Sequence, residues 1–333
     1  MMKTPAVMIA ALLSTTAPVL AQDMPGTGTS INLAQPSWDT SWFHTEIYKQ
    51  LFEELGYTVN GPQTLDNPPF YQAVAYGDVD LWLDGWFPLH DTYRPIFEGS
   101  AEVVGAVAPG GAMEGYLVDK AAADEFGITT LDDFKRPEVR EAFDRNGDGK
   151  ADMVACPPGW GCELSIAKHI DAYDLGDDIN LINAGYAASM ADAIAAQGAG
   201  EHILFYTWTP NWTVNELVPG EDVVWIQVPD REVETDLPAA EPTAGVTGCV
   251  ADPCRLGYPG NDISAVVNSA FLDANPAVRA LLEVSEIPVA DIFEQNAAMN
   301  AGDDDIEAQA AAWIEANRDT VDGWIETAVN AQN

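Results

Sequence analysis

Short apolar segments alternate between two periodicities along this chain, and that alternation restricts the possible folds more than any other feature. Segments 31–35, 79–83 and 203–207 have the composition of buried strands, whereas 42–55 carries apolar side chains at helical spacing. Strands that alternate with helices are typical of α/β domains. With 333 residues, 47% of them apolar, the chain is long enough for two such domains with packed cores.

The charge of the chain limits its partners. There are 53 Asp and Glu residues against 14 Lys and Arg residues, which gives a formal net charge of -39 at pH 7. Because phosphate contacts need clustered basic side chains, we expect no binding to nucleic acid and no docking on an anionic membrane surface. Neutral, cationic and zwitterionic partners remain.

The first residues have the pattern of an export signal. Lys3 precedes a mostly small and apolar stretch at 5–13, and Ala21 ends the segment at the expected cleavage point. The pattern predicts a signal peptide at 1–21, which export removes. No later stretch of the sequence approaches the length of a transmembrane span.

Four cysteines stand in two close pairs, Cys156 with Cys162 and Cys249 with Cys254. The close spacing favours two local disulfides, Cys156–Cys162 and Cys249–Cys254, in an exported chain, although four cysteines allow other pairings. A zinc site is the alternative. It would need shorter spacings between the cysteines or histidines nearby, and neither is present.

Ten tryptophans are present, and several stand beside turn residues and polar groups instead of inside apolar runs. The tryptophans with this placement are Trp38, Trp42, Trp86, Trp160, Trp208 and Trp212. Loops on a rigid scaffold are where binding residues concentrate. The face of an indole ring attracts a desolvated methylated ammonium by about 0.5 to 2 kcal/mol, so facing rings would select a soft cation that makes no hydrogen bonds.

The segment DRNGDGKAD places oxygen-bearing side chains at alternate positions. Its candidate calcium ligands are Asp144, Asn146, Asp148, Lys150 through its carbonyl, and Asp152. The spacing follows an EF-hand-type loop, although Ala155 stands where the bidentate Glu is usual. We therefore expect a structural calcium, and the alternative is a polar turn closed by side-chain hydrogen bonds.

Several segments together resemble the periplasmic glycine betaine/proline betaine-binding proteins of ABC importers. The most specific are PSWDTSWFHTE, ELGYTVN, PLHD, DRNGDGKAD, PPGWGCE, FYTWTPNW, DVVWIQVP, NPAVRALLEV and DGWIETAV, which span nearly the whole mature chain. The resemblance implies an α/β, two-lobed periplasmic binding protein fold with a ligand cleft between the lobes. It also implies a monomer in the periplasm, no catalytic cofactor, and a membrane permease with its cytoplasmic ATPase as partners.

The chain should cross between the lobes twice. We expect lobe 1 at 23–112 plus 264–333 and lobe 2 at 115–261. The hinges should then lie near 111–115 and near 259–264. A cleft between two lobes is a favoured place for a small ligand.

The resemblance also implies which residues bind the ligand. It assigns an aromatic cage to Trp86, Trp160 and Trp208, and a carboxylate site to His90 and the backbone N–H groups of Gly161 and Cys162. The carboxylate site has an independent reason, because Gly161 and Cys162 are expected to begin a helix and a helix N-terminus attracts anions. Trp38 and Trp42 are further candidates, and Trp42 stands where relatives carry another aromatic, so it is a candidate fourth wall.

Glu114 departs from the family pattern, in which an amide is expected at this position. An acid facing the cleft would disfavour a carboxylate ligand, yet it could pair with a cation or, when protonated, donate to an N-oxide. Trimethylamine N-oxide is therefore the main alternative to glycine betaine and proline betaine, and choline is a weaker one. The other interpretation is that Glu114 is a solvated acid at the lobe junction.

The sequence thus predicts a periplasmic receptor for small methylated amines and not an enzyme. An exported enzyme acting on the same compounds is the alternative, since Asp84, His90 and Asp91 could offer acid-base groups. Neither GxSxG nor HExxH is present, and the cysteines are expected to form disulfides. A structural or adhesive role would leave the tryptophans unexplained.

Overall fold

The computed structural model describes residues 24–229 and 239–332, and the predicted signal peptide at 1–21 lies outside them. The described part contains one sheet of nine strands. The strands are Ser30–Gln35 (β1), Thr58–Thr64 (β2), Leu81–Phe87 (β3), Ala101–Asp119 (β4), Ala151–Val154 (β5), Ile179–Ile182 (β6), Leu204–Thr209 (β7), Val223–Ile226 (β8) and Asn261–Asn268 (β9). Their order is β2-β1-β3-β9-β4-β7-β5-β6, and β8 pairs with β4.

Helices connect and cover the strands. Those described are Trp42–Glu54 (α1), Asn67–Tyr76 (α2), Arg94–Phe97 (α3), Lys120–Phe126 (α4), Pro137–Phe143 (α5), Gly161–Ala172 (α6), Tyr186–Gly198 (α7), Thr213–Glu216 (α8), Ser269–Ala274 (α9), Pro276–Val284 (α10), Val289–Asn300 (α11), Ile306–Ala316 (α12) and Arg318–Asn330 (α13). In the described ranges, no helix has both the length and the apolar character needed to cross a membrane.

Helix α1 shows how the sequence pattern produces an element. The apolar positions Phe43, Ile47 and Leu51 recur at helical spacing, and all three are buried against the sheet. Gly56 follows the helix with a φ of +89°, a conformation that glycine adopts without steric penalty. The helix predicted at 42–55 is therefore confirmed.

Strand β4 joins the two halves of the sheet. Its first part pairs with β9, and its second part pairs with β7 and β8. Glycines interrupt the apolar run of this strand. Gly110 and Gly111 adopt φ values of +63° and +75°, so the strand accommodates its irregularities and continues.

The chain visits the two halves in turn. Strands β1, β2 and β3 lie in the first half, β4 leads into the second half, and β5 to β8 lie there. Strand β9 returns to the first half, where it pairs with β3 and β4. The exact lobe and hinge boundaries given by the sequence stay predictions.

Two disulfides close short loops in the second half. Cys156 pairs with Cys162 and Cys249 with Cys254, with Cα–Cα separations of 5.9 and 6.1 Å. These are the pairs that the spacing favoured, so the zinc alternative is wrong. The first disulfide encloses Trp160 and reaches the first turn of α6, so it restrains the segment that carries this indole.

The acidic segment at 144–152 is a turn held by its own side chains. The Asp144 carboxylate accepts hydrogen bonds from the backbone N–H groups of Gly147 at 2.7 Å and Gly149 at 2.8 Å. Asp152 accepts from the N–H groups of Arg145 and Asn146, at 3.1 and 3.0 Å. These oxygens therefore face backbone donors.

The expected calcium ligands do not form a metal site in this arrangement. Across the described ranges, no group of three or more His, Cys, Asp and Glu side chains is placed to hold a metal ion. The expectation of a structural calcium bound by Asp144, Asn146, Asp148, Lys150 and Asp152 therefore finds no support. The alternative interpretation, a polar turn, describes the segment.

An aromatic core fills the first half of the sheet. Trp82 of β3 is fully buried and stacks on Phe70 of α2, with ring centroids 3.8 Å apart and planes inclined by 8°. Tyr71 and Trp38 meet the same indole edge-on at 5.8 and 5.9 Å. This packing makes a rigid support for Trp38.

Replacing Trp82 with Ala should remove this support. We expect a loss of about 3–5 kcal/mol in the free energy of unfolding, because the cavity left in an aromatic core cannot fully collapse. Tyr76, which is 83% exposed on the same helix as Phe70, provides the control, and Tyr76→Ala should change stability by less than about 0.5 kcal/mol. Urea unfolding measures both, and equal effects would contradict the assignment.

Candidate ligand-binding site

A cavity lies where the two halves of the sheet meet. Its empty space, including the part open to solvent, is about 300 Å³. It is lined by Trp38, Trp86, Leu89, His90, Glu114, Trp160, Gly161, Cys162, Tyr206 and Trp208. The structure therefore brings together every residue predicted for the ligand site except Trp42.

Both halves of the sheet contribute indoles to the cavity. Trp38 follows β1 and Trp86 lies in β3, whereas Trp160 immediately precedes α6 and Trp208 lies in β7. All four side chains are less than a tenth exposed. Since the two pairs come from opposite sides, the cavity has four indole walls only while the halves are close together.

Three of the rings form a corner. The Trp160 ring lies 5.3 Å from that of Trp38 and 5.5 Å from that of Trp208, with interplanar angles of 69° and 80°. Tyr186 extends the same cluster, with its ring 4.9 Å from Trp208. Rings at near right angles can present several negative π-faces to one small cation.

The protein itself occupies most of the indole N–H groups. Trp160 donates to Ser37 Oγ at 2.8 Å, Trp208 donates to Thr40 Oγ1 at 3.3 Å, and Trp38 donates to Asp84. The buried Nε1 of Trp86 finds no partner among the described residues. Three of the four walls thus have no free donor to offer a ligand, and Trp86 has one.

His90 is held as a neutral imidazole. It is 2% exposed, and burial lowers the pKa of its side chain to about 3. Its Nδ1 accepts a hydrogen bond from the backbone N–H of Trp86 at 3.1 Å and lies 2.8 Å from the Tyr71 hydroxyl. The proton of the neutral ring is therefore on Nε2.

That Nε2–H group needs an acceptor. The side-chain amide of Asn67 lies 2.9 Å away. Its oxygen has no other partner within the described residues, so the donor is satisfied when this oxygen is the near atom. A ligand oxygen that approaches Nε2 would replace this contact.

Helix α6 begins at the cavity with Gly161 and Cys162. The first N–H groups of a helix have no partner within it, and together with the helix dipole they attract anions. A side chain at Gly161 would lie 2.9 Å from the His90 ring and 3.0 Å from the Asn67 amide. Glycine therefore permits the helix end to approach His90 closely.

Glu114 is a buried acid in the cavity wall. It lies on β4 opposite Trp208 and is 2% exposed, so the interpretation as a solvated acid is wrong. Its carboxyl group accepts from the Tyr206 hydroxyl at 2.6 Å and from the Asn261 amide at 3.1 Å. Burial raises the pKa of Glu114 to about 7, and these two hydrogen bonds oppose the rise. Both protonation states are thus accessible near neutral pH.

Trp42 does not line the cavity. It begins α1, and its indole N–H donates to the Pro36 carbonyl at 3.2 Å. Its side chain lies instead on an adjoining depression that also includes Trp212. The fourth indole wall is Trp38. This residue precedes α1, and its ring packs against that of Trp160.

Sequence reasoning missed Tyr206, which lines the cavity and donates to Glu114. Tyr206 stands two residues before Trp208 in one strand, and residues at that spacing share a face. Leu89 was also missed, and it carries no polar signal that could have indicated it.

The acid-base groups that would serve an enzyme do not converge. Asp84 is buried behind the cavity, where it accepts from Trp38 and lies 3.2 Å from His44 without hydrogen-bond geometry. Asp91 is half exposed and pairs with Arg94. Only His90 of the three candidates lines the cavity.

Known proteins are similar to this chain in sequence and in structure. Residues 29–316 match the family described as the substrate binding domain of ABC-type glycine betaine transport system. The chain is 38% identical over 333 residues to the glycine betaine/proline betaine-binding periplasmic protein of Escherichia coli (strain K12), covering 97% of this chain and 96% of that protein.

Two more distant proteins are also similar to this chain. The chain is 24% identical over 291 residues to the trimethylamine N-oxide-binding protein of Pelagibacter ubique (strain HTCC1062), covering 85% of this chain and 86% of that protein. The crystal structure of lactococcal OpuAC, closed and complexed with glycine betaine, has a TM-score of 0.68 at 20% identity, covering 89% of this chain and 99% of that one. The fold is therefore that of a two-lobed α/β binding protein.

The raised pKa of Glu114 should make stability depend on pH. A carboxyl group whose pKa rises from 4.5 to about 7 on folding favours the folded state at low pH, and this contribution disappears as pH increases from about 4.5 to about 7. In the wild type, the free energy of unfolding should therefore fall by about 3 kcal/mol over that range, and Glu114→Gln should abolish this fall. Urea unfolding of both proteins between these pH values measures the difference, and parallel profiles would show that the burial of Glu114 does not act in this way.

Proposed function

The chain belongs to the family of substrate-binding domains of ABC-type glycine betaine transport systems, and we propose that it binds a small methylated amine in the tryptophan-lined cavity. It is a ligand-binding transport protein and not an enzyme. In this proposal the mature protein is a periplasmic monomer that delivers its ligand to a membrane permease with a cytoplasmic ATPase.

The convergence of indole rings from both halves of the sheet carries this proposal. Trp38, Trp160 and Trp208 meet at steep angles, and their N–H groups are directed to protein acceptors. A methylated ammonium has no hydrogen bonds to lose when it leaves water for such a site. A primary ammonium or a sodium ion would lose its hydration without replacement, so the cage selects against both.

The energy of such a cage fits a solute receptor. Three rings at about 0.5 to 2 kcal/mol each would contribute roughly 1.5 to 6 kcal/mol, whereas micromolar binding needs about 8 kcal/mol. Burial of the methyl groups and an anchored polar tail would supply the remainder.

A carboxylate tail would lie at the other end of the cavity. His90 carries its proton on Nε2, and the backbone N–H groups of Gly161 and Cys162 begin α6 beside it. These donors suit the carboxylate of glycine betaine or proline betaine. We propose them as the anchor for the ligand.

Trimethylamine N-oxide is the second candidate ligand, because of one observation. Glu114 is a buried acid whose pKa is raised to about 7, so its protonated form can donate a hydrogen bond to an N-oxide oxygen. When ionised, the same group disfavours a carboxylate and favours a ligand with net positive charge, such as choline. The similarity to the Pelagibacter ubique protein agrees with the N-oxide alternative.

Closure of the two lobes would complete the site. If the lobes are 23–112 plus 264–333 and 115–261, as we propose, the chain crosses between them within β4 and at the start of β9, and Gly110 of β4 donates to Asp262 of β9 at 2.7 Å. A ligand that contacts both lobes binds the closed form more tightly and so shifts the population toward it. The permease would then recognise the closed form.

Single replacement of Trp86, Trp160 or Trp208 with Ala should weaken binding of glycine betaine at least about ten-fold, because each removes a ring face and apolar contact area. Trp313→Ala is the control, since Trp313 packs on Trp324 in the α12–α13 pair. It should leave affinity unchanged. Isothermal titration calorimetry checks this, with circular dichroism to verify folding. Unaltered affinity in all three cage variants would refute the cage.

The pH dependence of binding separates the two ligands. The protonated fraction of a group with a pKa of about 7 falls roughly ten-fold between pH 6 and pH 8, so N-oxide affinity should fall by about that factor. Glu114→Gln keeps a donor that cannot ionise, so its N-oxide affinity should be independent of pH. Calorimetry with trimethylamine N-oxide, glycine betaine and choline at both pH values decides which ligand binds best. An equal pH profile in the two proteins would exclude the role of Glu114.

A further inference from the structure

The loop between β1 and α1, residues 36–41, reaches across the cavity and bonds to indoles on its far side. We propose that Ser37 and Thr40 in this cleft-bridging loop are positioning residues, which hold the Trp160 and Trp208 rings in the plane that faces the ligand and stabilise the closed cleft. The inference rests on the proposed function, because it concerns the walls of the same cage.

The contact between Thr40 and Trp208 is buried. The indole N–H of Trp208 donates to Thr40 Oγ1 at 3.3 Å, and the two residues are 4% and 3% exposed. Thr40 follows β1 of the first half, and Trp208 lies in β7 of the second half. When the halves separate, water can bond to both groups, so this hydrogen bond exists only in the closed arrangement.

The contact between Ser37 and Trp160 lies at the rim of the cavity. Trp160 donates to Ser37 Oγ at 2.8 Å, and the Ser37 hydroxyl donates to Asp66 at 2.6 Å. Because the Ser37 hydroxyl directs its hydrogen to the carboxylate, its oxygen can accept the hydrogen bond from the indole. Ser37 is exposed, so water can partly replace it if its side chain is removed.

A third contact joins the same loop to the far side. Asp39 accepts from the side-chain amide of Asn296 at 3.1 Å, and Asn296 accepts from the backbone N–H of Trp212 at 2.7 Å. Asn296 is fully buried. Three positions of one loop thus connect to three tryptophan positions in the second half, and the connection from Asp39 passes through Asn296.

The placement of these bonds explains why they act on the ligand site and not only on the fold. An indole N–H lies in the plane of the ring, so a bond at that atom fixes the plane and leaves the faces free. Between Ser37 and Thr40 the loop carries Trp38, whose own ring lies 5.3 Å from Trp160. One short segment therefore supplies one wall of the cage and orients two others.

Thr40→Val tests the inference directly, because valine keeps the shape of threonine and removes the acceptor. The Trp208 N–H is then unpaired in the closed form only, so we expect the dissociation rate of glycine betaine to rise about 5- to 30-fold. Ser37→Ala should raise it about two- to five-fold, since water reaches that site. Stopped-flow tryptophan fluorescence measures the rates.

Matched variants separate positioning from packing. Thr40→Ser retains the hydroxyl and should stay near wild type. Ser41→Ala removes a hydroxyl that bonds to the Trp38 carbonyl at 3.0 Å within the loop and does not cross the cavity, so its rate should change less than about two-fold. In a Trp208→Phe background, which lacks the N–H donor, Thr40→Val should not raise the dissociation rate further.

If Thr40 had a merely structural role, its replacement would lower the melting temperature of the protein without ligand. We expect it to be unchanged in Thr40→Val, because the open form does not contain the bond between Thr40 and Trp208. An unaltered dissociation rate in Thr40→Val, or an equal effect of Ser41→Ala, would overturn the inference. If the wild type binds neither glycine betaine, trimethylamine N-oxide nor choline, the proposed function fails instead.

Discussion

A fully methylated ammonium has no N–H group to donate, so a binding site must attract its charge without hydrogen bonds. The site proposed for this protein depends on that constraint. Four indole rings line one small cavity, and their edges are bonded to the protein at three of the four positions. Since the rings come from both halves of the sheet, the constraint can be met only by an arrangement that brings the halves together. The fold supplies that arrangement through β4, which belongs to both halves.

Each side of the cavity is supported in its own way. Behind Trp38 lies the stacked pair of Trp82 and Phe70, which belongs to the core of the first half. On the other side, the Cys156–Cys162 disulfide encloses the turn that carries Trp160, and α6 begins within it. A rigid wall loses little entropy when a ligand binds, so preorganisation of this kind adds to affinity without a new contact.

The sequence was sufficient for the parts that local chemistry decides. Helix α1 follows from apolar spacing, the two disulfides follow from close cysteines, and the cavity tryptophans stand beside turn residues in the sequence. These features depend on residues near one another in the chain. The family resemblance, carried by segments spread over the whole chain, added the two-lobed fold.

Contacts between distant residues decided the rest, and the sequence could not show them. Glu114 is buried because Tyr206 and Asn261 close over it from other strands. The expected calcium loop is a turn because its carboxylates face backbone N–H groups, which a spacing pattern does not reveal. Trp38 and Trp42 look alike in the sequence, yet Trp38 precedes α1 and lines the cavity, whereas Trp42 begins the helix and lies beside the cavity.

The central claim is that the cavity recognises the positive charge of a methylated nitrogen and not merely its shape. Glycine betaine and tert-butylacetate, in which carbon replaces the nitrogen, have nearly the same shape and the same carboxylate. Isothermal titration calorimetry of the wild-type protein with both compounds measures the effect of that charge alone. The account predicts that glycine betaine binds at least about ten-fold more tightly, since several ring faces act on one cation. Equal affinity for the two compounds would contradict it.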